Sequence, residues 1–178
     1  MIDTERLIRK AAAYGIDAAP VVRKLDEYAA LLVEYNQKVN LTAITDAEGI
    51  EDRHFIDSLL LAARPEVCGR MVDVGTGAGF PGIVAKLFRP ELDLTLMEPT
   101  GKRVDFLKYA CSALGVEAEF AKERAEEAAR KQWRESFDVA TARAVAALPV
   151  LAEDKNTKEQ IEMCFDAYAD KNWKTVFD

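Results

Sequence analysis

The stretch Val72-Asp73-Val74-Gly75-Thr76-Gly77-Ala78-Gly79-Phe80-Pro81-Gly82 constrains this chain more than any other. It reads as a buried strand that breaks into a glycine turn and then opens a helix. Glycines lack a Cβ and accept positive φ, so such a turn lets a ligand lie against bare backbone. The helix that follows points unpaired N–H groups and the positive end of its dipole at that ligand. Pro81 suits the first helical turn, where the missing N–H costs nothing. A strand–turn–helix unit with a nucleotide-like pocket at the strand's carboxyl end is the expectation.

The glycines allow two readings. Gly77-x-Gly79-x-x-Gly82 matches the dinucleotide fingerprint, a weak signal alone. Gly75-x-Gly77-x-Gly79 preceded by Asp73 matches the loop of S-adenosylmethionine-dependent methyltransferases. Both folds place an acid for ribose hydroxyls after the second strand, here Glu98 after Leu92–Met97, so Glu98 does not discriminate. Three details favour the methyltransferase type. Asp73 sits where a carboxylate can hold an ammonium directly or through water. Phe80-Pro81 fills the space a pyrophosphate needs, and no second nucleotide half follows. A glycine turn without a ligand is the remaining reading.

The segments around the loop set the fold class. Residues 4–14 read as a short helix with Thr4 as N-cap and Gly15 as stop. Pro20 opens a second helix, with Leu25, Tyr28, Leu32, Tyr35 and Val39 at helical spacing, ended by Asn40-Leu41-Thr42. Asp52 to Ala63 is a further helix, closed by Arg64-Pro65. Then strands alternate with helices: strand 70–74, helix 81–88, strand 92–97, helix 101–114, strand 116–120, a short helix near 124–132 and strand 137–141. Alternation of this kind means a parallel sheet with crossovers. Ligands bind at the carboxyl ends of such strands, where Gly75, Glu98, Ala125 and Arg143 should gather.

The expected organisation is a helical cap over residues 1–66, an α/β, doubly wound, Rossmann-like core over 67–152, and an amphipathic tail helix over 153–178. The tail would cover the open edge of a sheet with only about four strands.

Composition excludes several classes. At 178 residues and 49% apolar content the chain suits one globular domain. Met1-Ile2-Asp3-Thr4-Glu5-Arg6 lacks a signal-peptide pattern and no apolar run has spanning length. Three widely spaced cysteines, Cys68, Cys111 and Cys164, read as reduced thiols in a cytoplasm. One histidine and no Cys-x-x-Cys exclude structural zinc, so no metal is expected. The net charge of −7 opposes bulk attraction to nucleic acid, but residues 71–152 carry only one of those seven excess charges. RNA affinity would need placed Lys and Arg side chains.

A set of motifs in fixed order resembles the bacterial glucose-inhibited division protein B family, class I methyltransferases that modify guanine N7 in 16S ribosomal RNA. The motifs are Asn36-Gln37-Lys38-Val39-Asn40-Leu41-Thr42, Arg53-His54-Phe55-Ile56-Asp57-Ser58-Leu59 and the run Asp73–Gly82. Gly101-Lys102-Arg103-Val104-Asp105-Phe106-Leu107, Arg124-Ala125-Glu126-Glu127 and Ala142-Arg143-Ala144-Val145-Ala146 complete the set. They cover about residues 25–152. The later strands of that family, with a Met-Lys-Gly motif, have no counterpart in residues 153–178.

The resemblance implies roles for matching positions. Gly75 and Phe80 would line the methionine end of S-adenosylmethionine. Ala125 and Glu126 would hold the adenine, and Arg143 would lie beside the cofactor facing ribosomal RNA. The candidate cofactor set is therefore Asp73, Gly75, Thr76, Gly77, Gly79, Phe80, Glu98, Ala125, Glu126 and Arg143, with Arg143 also the catalytic candidate. Candidate RNA contacts are Asn40, His54, Lys102, Arg103 and Arg143. The implied activity is methyl transfer to guanine N7. The alternative is a cofactor-binding RNA or regulatory module that does not turn over, because its C-terminal part is altered.

Side-chain chemistry adds to this. Guanine N7 carries an in-plane lone pair and no proton, so no general base is required and positioning would carry the rate. His54, Asp57 and Ser58 lie within about one helical turn and cannot converge as a hydrolytic triad. His54 reads as packing and a hydrogen bond in the cap, or as a contact to RNA or from cap to core. Arg143 has no packing reason to follow a strand end. Lys102 and Arg103 open a helix, an unfavourable place for cations unless an anion faces them. Arg130, Lys131 and Arg134 read as a solvated face, and Tyr28 and Tyr35 as core.

Overall fold

In the computed structural model, residues 1–124 and 136–143 are described. The expected helix near 124–132 and the tail helix in 153–178 lie outside them, as do Ala125, Glu126, Arg130, Lys131, Arg134 and Cys164.

Helix α1, Thr4–Ala12, is capped by Asp3, whose carboxylate accepts from the Arg6 amide at 2.9 Å. The expected cap was Thr4. Both residue types can accept this bond, and the one whose backbone is extended takes the role. Helix α2, Val22–Asn36, buries Leu25, Tyr28, Ala29 and Leu32, one apolar stripe of a 3.6-residue period. The Asn36 side chain then turns the chain, accepting from the amides of Leu41 (2.8 Å) and Thr42 (3.1 Å) and donating to the Thr42 carbonyl (3.0 Å).

The next helix starts earlier than expected. Helix α3, Ala47–Ile50, is capped by Asp46, which accepts from the Gly49 amide at 2.7 Å. A π-helical turn, Glu51–Ile56, joins it to α4, Asp57–Ala62. Such wide turns are frequent at functional sites, and this one carries Arg53 and His54.

Four strands form one parallel sheet: β1 (Arg70–Val74), β2 (Asp93–Met97), β3 (Glu119–Ala121) and β4 (Val139–Ala142), in the order β3-β2-β1-β4. Their buried apolar runs suit a sheet covered on both faces. Helix α5, Gly82–Phe88, links β1 to β2, and α6, Gly101–Leu114, links β2 to β3. The chain proceeds outward from β1 on one side and places β4 on the other. The order reverses between β1 and β4, the crevice in which open α/β sheets bind ligands. This is the expected α/β Rossmann-like architecture.

Strand β3 begins at Glu119, not 116. Gly115, at φ +64°, ends α6, and the Val116 amide returns to the Cys111 carbonyl at 2.8 Å. Val116 is spent on closing the helix before the strand can start. Cap and sheet share one apolar core, in which Leu7, Leu25, Phe55, Ile83 and Phe106 are all buried.

Candidate functional site

The glycine loop sits at the carboxyl end of β1 and is tied down from below by Asp73. This carboxylate is fully buried and accepts through Oδ2 from the Thr76 hydroxyl (2.5 Å) and the Gly82 amide (2.8 Å). The Thr141 hydroxyl, paired across the sheet from β4, reaches Oδ1 at 3.3 Å. Burial pushes the Asp73 pKa up to about 6, against the opposing pull of those hydrogen bonds. In this structure Asp73 therefore acts on the loop: it joins the loop's start, the first turn of α5 and the neighbouring strand.

The upper part of the loop is arranged differently. The amides of Gly75 (2.8 Å) and Thr76 (3.2 Å) both donate to the Met97 carbonyl at the end of β2. Gly77, half-buried, has φ +58°, and a Cβ there would meet only the Gly75 carbonyl oxygen, at 3.9 Å. That is left-handed backbone with open space where a side chain would stand. Gly79, at φ +93°, is the reverse. Its Cβ would lie 2.5 Å from both Ile83 Cδ1 and the Tyr28 hydroxyl.

Glu98 stands beside the loop and is buried. Its Oε2 accepts from the Gly77 amide at 3.1 Å and its Oε1 from the Thr100 amide at 2.9 Å, while Arg103 Nη1 faces Oε2 at 3.8 Å. A carboxylate offers about four lone-pair positions, so both bonds leave acceptor capacity at the strand end. Lys102 is exposed at the opening of α6. Lys122 lies nearby, its Nζ 3.1 Å from where a Gly101 Cβ would stand.

A second cluster joins the cap to the loop. The Phe80 ring is buried between two others: His54, stacked at 4.4 Å and 7°, and Tyr28, at 5.0 Å and 26°. Arg143 follows β4 and places its guanidinium 5.4 Å from the Phe80 ring centre. The same group donates to the Arg53 carbonyl (2.9 Å), to Asp57 Oδ2 (3.2 Å) and to His54 Nδ1 (3.2 Å). A guanidinium can only donate, so Nδ1 must accept and the imidazole proton resides on Nε2, which faces the Thr42 hydroxyl at 3.1 Å. Burial and the Arg143 charge lower the His54 pKa to about 4.

These contacts revise several expectations. His54 is buried with both ring nitrogens engaged, which places it between cap and core and not on an RNA-facing surface. Phe80 directs its ring into the cap, against Tyr28 and His54, and so anchors the loop. Ser58 donates to the His54 backbone carbonyl at 2.6 Å and not to the imidazole, in keeping with the one-turn spacing that speaks against a hydrolytic triad. The structure brings together Asp73, Gly75, Thr76, Gly77, Gly79, Phe80, Glu98 and Arg143. Asn40 is exposed in the loop after α2 and makes no bridge to this group.

Sequence reasoning missed Tyr28 and Thr141. The Tyr28 hydroxyl donates to the Ala78 carbonyl in the loop. Thr141 carried one signal, a hydroxyl two residues before Arg143 at the end of the expected strand 137–141. Among the described residues no group of three or more His, Cys, Asp or Glu side chains is placed to hold a metal ion.

Comparison with known proteins agrees with this geometry. The profile of the family described as rRNA small subunit methyltransferase G matches residues 21–165, which includes part of the tail that the motifs left out. The chain is 43% identical over 162 residues to the ribosomal RNA small subunit methyltransferase G of Moorella thermoacetica, covering 86% of this chain and 66% of that protein. It is 44% identical over 154 residues to the protein of that name from Caldanaerobacter subterraneus subsp. tengcongensis, covering 84% of this chain and 64% of the relative. A third, from Alkaliphilus metalliredigens, is 48% identical over 136 residues, covering 74% and 57%. The chain thus spans somewhat less than two thirds of the length of the curated relatives it matches.

Proposed function

Since this chain belongs to the rRNA small subunit methyltransferase G family, we propose that it transfers a methyl group from S-adenosylmethionine to N7 of a guanine in small-subunit ribosomal RNA. The observation that carries the reading is the glycine loop at the reversal point of the sheet. There Gly77 presents open left-handed backbone beside the Glu98 carboxylate. This arrangement fits an adenosine ligand whose ribose hydroxyls need an acceptor and whose amino-acid end needs close backbone.

S-adenosylmethionine supplies an electrophilic methyl carried on a sulfonium. The protein's part is placement. Gly75 to Gly79 offer the cradle, and Glu98 accepts from ribose hydroxyls with the lone pairs its backbone bonds leave unused. Asp73 acts from beneath by fixing Thr76 and Gly82. Ala125 and Glu126 serve the adenine, and Arg143 holds the RNA-facing side of the loop. Guanine N7 needs no deprotonation, so this chemistry asks for no base beside Arg143, and His54, its pKa lowered to about 4 and its Nδ1 occupied, is not placed to be one. The target base has to leave its stack to reach the strand ends. Lys102 and Arg103 lie on the same side and would meet phosphates. Activity on ribosomal RNA would place the protein in the cytoplasm, and no helix among the described residues is long and apolar enough to cross a membrane.

Incubation of the chain with labelled S-adenosylmethionine and small subunits lacking the modification tests the reading. Label is expected in 16S RNA, at a guanine that becomes sensitive to borohydride–aniline scission, a signature of N7 methylation. Calorimetric binding of NAD but not S-adenosylmethionine, or label at another atom, would overturn it.

A further inference from the structure

Tyr28 is fully buried on α2, a helix of the cap, where an apolar ring alone would satisfy the core. Its oxygen is used on the glycine loop. The hydroxyl donates to the Ala78 carbonyl. The space that a Gly79 Cβ would take, 2.5 Å from this oxygen, is left clear. The ring stacks on Phe80 at 5.0 Å. Three consecutive loop residues thus answer to one cap side chain, through a carbonyl, a missing side chain and a ring.

The carbonyl of Ala78 and the amide of Gly79 belong to one planar peptide unit. The amide end is already held, donating to the Thr76 carbonyl at 2.9 Å. Tyr28 holds the opposite end, so the plane cannot turn. Without the hydroxyl, a buried carbonyl would lose its partner, and rotation of the plane towards water would relieve it. That rotation would change the backbone just after Gly77, where the open surface lies.

We propose that Tyr28 is a positioning residue of the cofactor loop, through which cap helix α2 fixes the Ala78–Gly79 peptide and keeps Gly77 in its ligand-ready conformation. The proposal rests on the reading of this loop as an S-adenosylmethionine site.

The test is Tyr28→Phe in the full 178-residue chain, with Tyr35→Phe as control. Tyr35 lies on the same helix but packs on Phe106 (5.1 Å) and Tyr109 (5.9 Å), away from the loop. Tyr28→Phe is expected to weaken S-adenosylmethionine binding about tenfold in calorimetry. Without ligand, it should also raise amide exchange in residues 73–83 about tenfold. Tyr35→Phe should move neither. Unchanged affinity and exchange in Tyr28→Phe would overturn the proposal. So would a loss of stability with both readings intact, or a failure to fold, since the oxygen would then serve the core alone. If the unmodified chain does not bind S-adenosylmethionine, the ligand reading fails, and loop exchange still decides the role of Tyr28.

Discussion

Acid should dismantle the contact between His54 and Arg143 in a defined pH window. The neutral imidazole accepts a guanidinium N–H at 3.2 Å through Nδ1. Protonation would remove that acceptor and set two positive charges face to face in a buried place. The folded pKa is about 4 against an ordinary 6.5. A base with a depressed folded pKa contributes stability that is fully present above its unfolded value. That stability is lost as pH falls from 6.5 through 4, because the unfolded chain takes up the proton first. The full difference is about 3 kcal/mol, of which about 2 kcal/mol is lost by pH 5.

Asp73 works in the opposite sense. Its folded pKa, raised to about 6, makes the folded state favour the proton, so its term grows more stabilising as pH falls from 6 to about 4. The two terms partly cancel in the wild-type curve, and the assay must separate them. Urea unfolding of wild type and His54→Gln at pH 7, 6 and 5 does so, since Asp73 is common to both. Their stability difference should shrink by about 2 kcal/mol between pH 7 and pH 5. The chain holds a single histidine, so one imidazole NMR signal gives the folded pKa directly. A constant stability difference, or an imidazole titrating near 6.5, would refute the reasoning.

Other outcomes follow from the same contacts. Arg143→Ala should lower methyl transfer at least about a hundredfold, because the Phe80 end of the loop loses its placement. It should also reduce stability by roughly 1–3 kcal/mol through the bonds lost at Arg53, His54 and Asp57; turnover near wild type would refute the assignment. Glu51→Ala removes a fully buried carboxylate that holds Arg6 (2.6 and 2.7 Å) and the Asp3 amide (2.9 Å). The expected loss is roughly 2 kcal/mol, moderated because Arg6 keeps some water, and an unchanged melting temperature would contradict it. Gly79→Ala and Gly77→Ala should separate fold from ligand. The first meets Ile83 and Tyr28 and should destabilise by about 2 kcal/mol or more. The second meets open space, should cost about 1 kcal/mol, and should chiefly weaken S-adenosylmethionine binding. Equal effects of the two on melting would be the wrong result.

Much of the fold was legible because local patterns and the sheet agree. The apolar runs of β1 and β2 are what a strand covered on both faces requires, and Gly115 ends α6 as its position suggests. Arg143 was legible only as a cation for which the sequence shows no packing reason. Its partners were not, since Arg53, His54 and Asp57 lie 86 to 90 residues earlier in the chain. Tyr28 reads as core in the sequence because one oxygen does not alter an apolar periodicity. The ring is indeed buried, but what the oxygen does depends on a loop fifty residues away. The role of His54 was left open in the sequence, because stacking on Phe80 is decided by the docking of cap on sheet. The π turn could not be seen at all, since Glu51–Ile56 is compatible with ordinary α winding.

That turn makes segment length as restrictive as residue identity. Glu51, at its start, reaches back to α1, while His54, within its last turn, and Asp57, just beyond it, reach forward to the residue after β4. Deleting one residue would let the segment wind as a regular α-helix, a local gain in hydrogen bonding. It would also swing one flank by about 100° relative to the other. Either the Arg6 pair or the Arg143 pair would then face the wrong way, whatever side chains remained. Substitutions in this stretch can be repaired one at a time, but a change of length breaks the phase on which both ends depend.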